Sequence, residues 1–140
     1  MSIPFGAHIP FVDLLGFTLE KFEGGRSELH YAPAAEHQNS FAVTHGGAVM
    51  SLLDVVMATA ARSVDPDMGV VTIEMKTTFM RPAKVSGLEK LVAKGALLHR
   101  TRSMAFTEGR VFDAQGQLCA HATGTFKYVA RREASAPSTD

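Results

Sequence analysis

Residues 45–63 read HGGAVMSLLDVVMATAARS, and the fold turns on this stretch. After His45-Gly46-Gly47 it is mostly apolar as far as Ala61, with Ser51 and Thr59 the uncharged polar residues and Asp54 the one formal charge. It predicts a helix over residues 46–63, apolar on most of its faces and therefore placed in an interior. Pro66 and Gly69 in the following VDPDMG stop it. An isolated carboxylate should be expelled from such surroundings, so Asp54 needs a reason to be there.

Its helical neighbours three and four residues away are Met50, Ser51, Met57 and Ala58, none of them cationic. Two readings follow. A partly desolvated carboxylate has a raised pKa and can take a proton from water; alternatively, Asp54 lies on a solvent-facing stripe or accepts local hydrogen bonds. Spacing alone leaves both open. At the helix start, the first-turn N–H groups have no partner within the helix, and Gly46 and Gly47 let a ligand oxygen come close to them. With the positive end of the helix dipole behind them, these donors suit developing negative charge, as in an oxyanion hole. The plainer reading of the glycine pair is a turn.

Other chemistries fit less well. HGG lacks the rest of a phosphate-binding loop. His37 and His45 lie in a loop without a close partner set, and His8, His30, His99 and His121 are scattered, so no metal site is expected. Ser51 is not framed by Gly-x-Ser-x-Gly, which argues against a serine hydrolase.

Outward from the helix, residues 9–15 suggest a short helix ending near Gly16, and FTLEKF and RSELHYA flank Glu23-Gly24-Gly25 as a hairpin. Residues 34–44 are polar and aperiodic, a loop. Strands are expected over residues 70–80, 89–99, 103–112 and 117–128. In VVTIEMKTTF, alternation puts Val71, Ile73, Met75 and Phe79 on one face and Thr72, Glu74, Lys76 and Thr78 on the other, the pattern of a half-buried strand. The expected fold class is α+β: an antiparallel sheet of five or six strands wrapped around one long central helix. Such a sheet has open edges, and an open edge is commonly closed by a second copy.

The chain has 140 residues, enough for one domain, here residues 1–129 with a polar, disordered tail over 130–140. Lys plus Arg and Asp plus Glu number 14 each, which argues against a broad basic face for nucleic acid or an anionic membrane and leaves room for a local cluster that holds one phosphorylated ligand. The start lacks a basic leader, no transmembrane run is present, and Cys119 is the only cysteine, so a cytoplasmic location is expected. Cys119 reads as a small buried hydrophobe.

HQNSFAVTHGGAVMSLLDVVMATA, followed by VVTIEMKTTFMRPAK and a last strand ending ATGTFKYV, resembles the hotdog-fold acyl-CoA thioesterases of the PaaI-like group. The resemblance spans about residues 9–129 and rests on Asn39, then His45-Gly46-Gly47, then Asp54 nine residues after that His. It implies that Gly46 is the backbone donor to the thioester carbonyl, Asp54 the general base or nucleophile, and Asn39 a group placing substrate or water. It further implies that Thr72 assists near the carboxylate and that His45 supports the loop and Asn39. Ala42 stands where the group usually has Gly, a departure that strains the loop if a positive φ is needed there.

The activity so implied is hydrolysis of an acyl-CoA to a carboxylic acid and CoA, without metal or redox cofactor, in a homodimer with shared sites or a dimer of such dimers. Gly47, Arg100 and Arg102 are candidate substrate contacts, the arginines for CoA phosphates, with Lys84, Lys90, Lys127 and Arg131 as further candidates. The acyl group is left open between aromatic and medium-chain. A hotdog hydratase would call for a helix carrying a catalytic His, and none follows His45 in this helix. A non-catalytic acyl-CoA-binding module is the alternative from another class.

Overall fold

In the computed structural model, which describes residues 2–131, a six-stranded antiparallel sheet curls around one long helix. A short helix α1 (Pro10–Leu15) precedes the hairpin β1 (Thr18–Glu23) and β2 (Arg26–Tyr31). Helix α2 (Gly46–Arg62) follows, then β3 (Met68–Phe79), β4 (Leu91–Arg100), β5 (Met104–Phe112) and β6 (Leu118–Ala130). The order across the sheet is β1-β2-β4-β5-β6-β3, so β1 and β3 are its edges. This is the hotdog fold, and the expected α+β class holds.

The expected strands start and end within two residues of β3, β4, β5 and β6, because Pro82, Gly87 and the DAQG turn interrupt the chain where the ladder stops. The loop over 34–44 holds one 3-10 turn, Ala35–His37, and an isolated bridge between Gln38 and Thr44. β6 reaches Ala130, one residue beyond the expected domain end, while residues 132–140 of the expected tail lie outside the described residues.

α2 can approach the sheet closely because the strands beneath it carry glycines. A Cβ on Gly95 would run into the Val56 carbonyl, one on Gly109 would meet Leu53 and Met57 at 3.1 Å, and one on Gly124 would meet Met57 at 3.0 Å. Leu52, Leu53, Val56 and Met57 are completely buried on this seat, each contributing roughly 1.5–3 kcal/mol of hydrophobic stabilisation.

One sequence expectation about β3 fails. Its ladder with β6 shifts register between Thr72, opposite Phe126, and Glu74, opposite Thr125, leaving Ile73 as an extra residue. The bulge reverses the alternation before it. Thr72 shares the helix-facing side with Met75 and Phe79, while Val71 joins Glu74, Lys76 and Thr78 on the other. β3 is not half-buried in the single chain either: Val71, Ile73 and Phe79 are 44%, 53% and 50% exposed, since this strand has a neighbour on one side only.

Candidate active site

The start of α2 is shaped by His45. Its backbone is extended (φ −60, ψ 139), its side chain caps the helix by accepting the Gly47 N–H at Nδ1 over 2.8 Å, and its carbonyl takes the N–H groups of Ala48 and Val49. Accepting at Nδ1 puts the ring proton on Nε2. With Gly47 engaged, the Gly46 N–H is left without a hydrogen-bond partner among the described residues. Of the two glycines, the geometry therefore offers Gly46, and not Gly47, as a donor to a ligand.

The loop before the cap is tied by Asn39. Its Oδ1 accepts the N–H of Phe41 at 2.9 Å and of Val43 at 3.3 Å, while its carbonyl accepts the Ala42 N–H. That tight turn puts Ala42 at φ +59, the left-handed conformation its replacement of glycine called into question, at a cost of roughly 1 kcal/mol. His45 holds this loop from the backbone, through its N–H to the His37 carbonyl at 2.8 Å; Asn39 is braced by Phe41 and Val43 instead of by the His45 ring. His37 Nδ1 accepts from the Tyr31 hydroxyl at 2.8 Å and the Ala34 N–H at 3.0 Å, so both loop histidines serve as hydrogen-bond acceptors.

Asn39 and Gly46 line one cleft of about 390 Å³, with Val49, Phe79, Ala83 and Ala120 among its apolar walls. Asp54 does not line it. Asp54 stands eight positions after Gly46, about 12 Å along the helix axis. Asp54 occupies the open stripe of α2 with Met50, Ser51, Val55 and Ala58, half-buried, and accepts a hydrogen bond at Oδ1 from the Thr72 hydroxyl at 2.7 Å. Burial among apolar neighbours raises its pKa above the ordinary carboxylate value, and the Thr72 bond offsets part of that rise. Both readings of the sequence were thus partly right: the stripe is open, and the carboxylate is still desolvated.

The chosen residues fall into three places. Asn39, His45 and Gly46 form the helix start; Asp54 and Thr72 form a pair further along. Arg100 stands near the other end of α2, 3.6 Å from Asp65 with its guanidinium 4.1 Å above the Tyr128 ring, and Arg102 follows in the exposed β4–β5 turn. Arg81 was missed. It lines the cleft and donates to Gln117 Oε1 at 3.0 Å. Its only sequence signal is its position just past a strand and before Pro82.

A family model described as the thioesterase superfamily matches residues 41–120, which include His45, Gly46, Asp54, Thr72 and the apolar cleft walls, while Asn39 lies just before the matched range. The chain belongs to the thioesterase superfamily. A protein of Saccharolobus solfataricus that carries a provisional esterase name is 30% identical over 126 residues, covering 90% of this chain and 85% of its own. Human acyl-coenzyme A thioesterase 13 is 31% identical over 72 residues, 51% of this chain and 50% of that one. The Escherichia coli PaaI protein from the phenylacetic acid degradation operon superposes with a TM-score of 0.80 at 20% identity, covering 87% and 86% of the two chains, a likeness of fold. Membership supports thioester hydrolysis as the activity of this thioesterase. None of its helices among the described residues is long and apolar enough to cross a membrane.

Proposed function

We propose that this thioesterase hydrolyses an acyl-CoA to a carboxylic acid and free CoA, at a site built from two copies of the chain. The observation that carries the reading is a separation: the cleft with the unpartnered Gly46 N–H has no Asp54, and Asp54 with Thr72 lies on an open stripe about 12 Å along the same helix. A second copy, its α2 antiparallel across a two-fold axis, brings its own Asp54 to that cleft. The bare, apolar edge of β3 supports such a partner, because an unpaired strand with exposed Val71 and Ile73 is a template for pairing.

The thioester carbonyl accepts from the Gly46 N–H at the positive end of α2, which stabilises the oxyanion as water adds to the carbonyl carbon. Asp54 from the second copy takes the proton of that water, with Thr72 steadying one carboxylate oxygen and leaving the other for the water. Collapse of the tetrahedral adduct breaks the C–S bond, and the proton held by Asp54 passes to the departing sulfur, so CoA leaves as the thiol and the carboxylate is restored. Asn39, its Oδ1 already committed within the loop, offers its amide N–H groups to substrate or water. Arg100 and Arg102, beyond the opposite end of α2, would reach this cleft from the second copy, where we assign them to CoA phosphates. A cytoplasmic location and a further pairing of dimers complete the reading; the first rests on the lone free Cys119, the second on the family resemblance.

Complementation tests the shared site. Asp54→Ala and Asn39→Ala chains, each shown to be folded and crippled in a thiol-release assay over aromatic and medium-chain acyl-CoAs, are unfolded together and refolded. Random pairing gives about half mixed dimers, in which one site has both intact groups, so about a quarter of the sites recover. No recovery after confirmed exchange places both residues of a site in one chain and ends the reading.

A further inference from the structure

The cleft that holds Asn39 and Gly46 contains one charged side chain, Arg81, and no carboxylate among its lining residues. Arg81 is firmly placed. Its N–H and that of Met80 reach the Cys119 carbonyl at 3.2 and 2.8 Å, prolonging the pairing with β6 before Pro82 ends it. Its side chain is oriented by a neutral acceptor, Gln117 Oε1, and the Gln117 N–H is itself fixed by Asp113 Oδ1 at 2.9 Å. An arginine used as a structural strut is commonly paired with a carboxylate that cancels its charge. Here an amide holds the guanidinium in position and leaves the positive charge uncancelled, with further N–H donors in its planar fork.

We infer that Arg81 binds an oxyanion carried by the substrate, at the rim of the same cleft in which the thioester carbonyl meets Gly46. The inference rests on the thioesterase reading of that cleft. Two parts of an acyl-CoA supply such an oxyanion: a carboxylate at the far end of a short acyl group, or a phosphate of CoA. Both are planar or tetrahedral oxyanion targets for a two-pronged guanidinium, and a hydroxyl or amide in their place would leave the charge unanswered. The phosphates stand at the end of the long pantetheine arm, whereas an acyl carboxylate would lie in the cleft itself; the two sources therefore separate by experiment.

Wild type, Arg81→Gln and Arg81→Lys are compared on two pairs of thioesters. The first pair is a CoA thioester whose linear acyl chain ends in methyl and one of equal length ending in carboxylate. The second is one neutral acyl group presented on CoA and on N-acetylcysteamine, which has no phosphate. The expected result is that Arg81→Gln lowers the kcat/KM ratio of the anionic over the neutral member about tenfold in one pair, with partial recovery in Arg81→Lys, which keeps charge without the fork. A loss in the first pair assigns the carboxylate, and a loss in the second assigns the phosphate. Unaltered ratios in both pairs overturn the inference while leaving the hydrolase reading intact. Should wild type hydrolyse none of the four, the hydrolase reading fails instead, and calorimetric binding decides the fate of Arg81. The probes are then free CoA and a carboxyalkyl thioether of CoA: a Kd weakened about tenfold in Arg81→Gln for either one supports the anion site, and equal Kd values for both reject it.

Discussion

α2 has two faces with opposite jobs. One carries Leu52, Leu53, Val56 and Met57, all without exposure, seated on the glycines of β4, β5 and β6. The other carries Met50, Ser51, Asp54, Val55 and Ala58, partly open, with the one charge of the helix interior. The seated face holds the fold through close packing, where a single carbon atom is felt. The open face contributes less to the core and is free to hold a carboxylate at half burial, where it keeps a basic oxygen without the full cost of interior charge. Changes on the seat should therefore be read in stability, and changes on the open face in turnover.

The hardest blow to the seated face is Gly95→Ala. The new methyl would collide with the Val56 carbonyl and stand 2.7 Å from the Ser27 hydroxyl, which itself donates to that carbonyl. A loss of about 3 kcal/mol in unfolding free energy, seen as a lower denaturant midpoint, is expected. Wild-type stability in this variant would mean that α2 does not sit on the sheet so closely.

On the open face, Asp54→Asn should cut kcat a hundredfold or more while sparing the fold, since the amide cannot take the proton of water. Stability should move the other way. Burial lifts the folded-state pKa of Asp54 above its unfolded value, so between the two the folded chain keeps a proton that the unfolded chain has lost. The stability contribution is then present at low pH and is lost as pH rises through the folded pKa, while activity climbs over the same window. Asp54→Asn should accordingly melt no lower than wild type at neutral pH. A variant that retains turnover, or one that unfolds readily, would erase the distinction between the faces.

A smaller effect sharpens it. Thr72→Val removes the hydroxyl that offsets the desolvation of Asp54, so the acid limb of the pH–rate profile should move to higher pH. At neutral pH, kcat should fall about fivefold, the worth of one hydrogen bond to a charged group at a partly open site. An unmoved acid limb would detach Thr72 from the chemistry.

Much of this was legible in the chain. The long apolar run from Gly46, the glycine pair at the hairpin and the two-residue alternation of the later strands are local patterns, each tied to its conformation by sterics and burial within a few residues. The spacing of Asn39, His45-Gly46 and Asp54 was equally visible, because a site that uses a helix start and a helix midpoint keeps its parts close in sequence. The anion-facing cleft was not. Arg81 and Gln117 are 36 residues apart and meet only because β3 and β6 are neighbours in the sheet.

The β3 bulge marks the boundary between the two kinds of information. By itself the sequence determined that residues 70–80 make a strand and that Thr72 and Asp54 are both there to be used, since propensity and periodicity are properties of the local chain. It assigned Thr72 to the wrong face. Only the pairing with β6 leaves Ile73 as the extra residue, and that one-residue slip turns Thr72 onto the helix side, within 2.7 Å of Asp54. Tertiary structure decided this because a bulge is a mismatch between two strands, and the pattern of residue types along one of them carries no sign of it. The same reason holds for the bare edge of β3: it is fixed by what lies beside the strand in space, which no stretch of sequence contains.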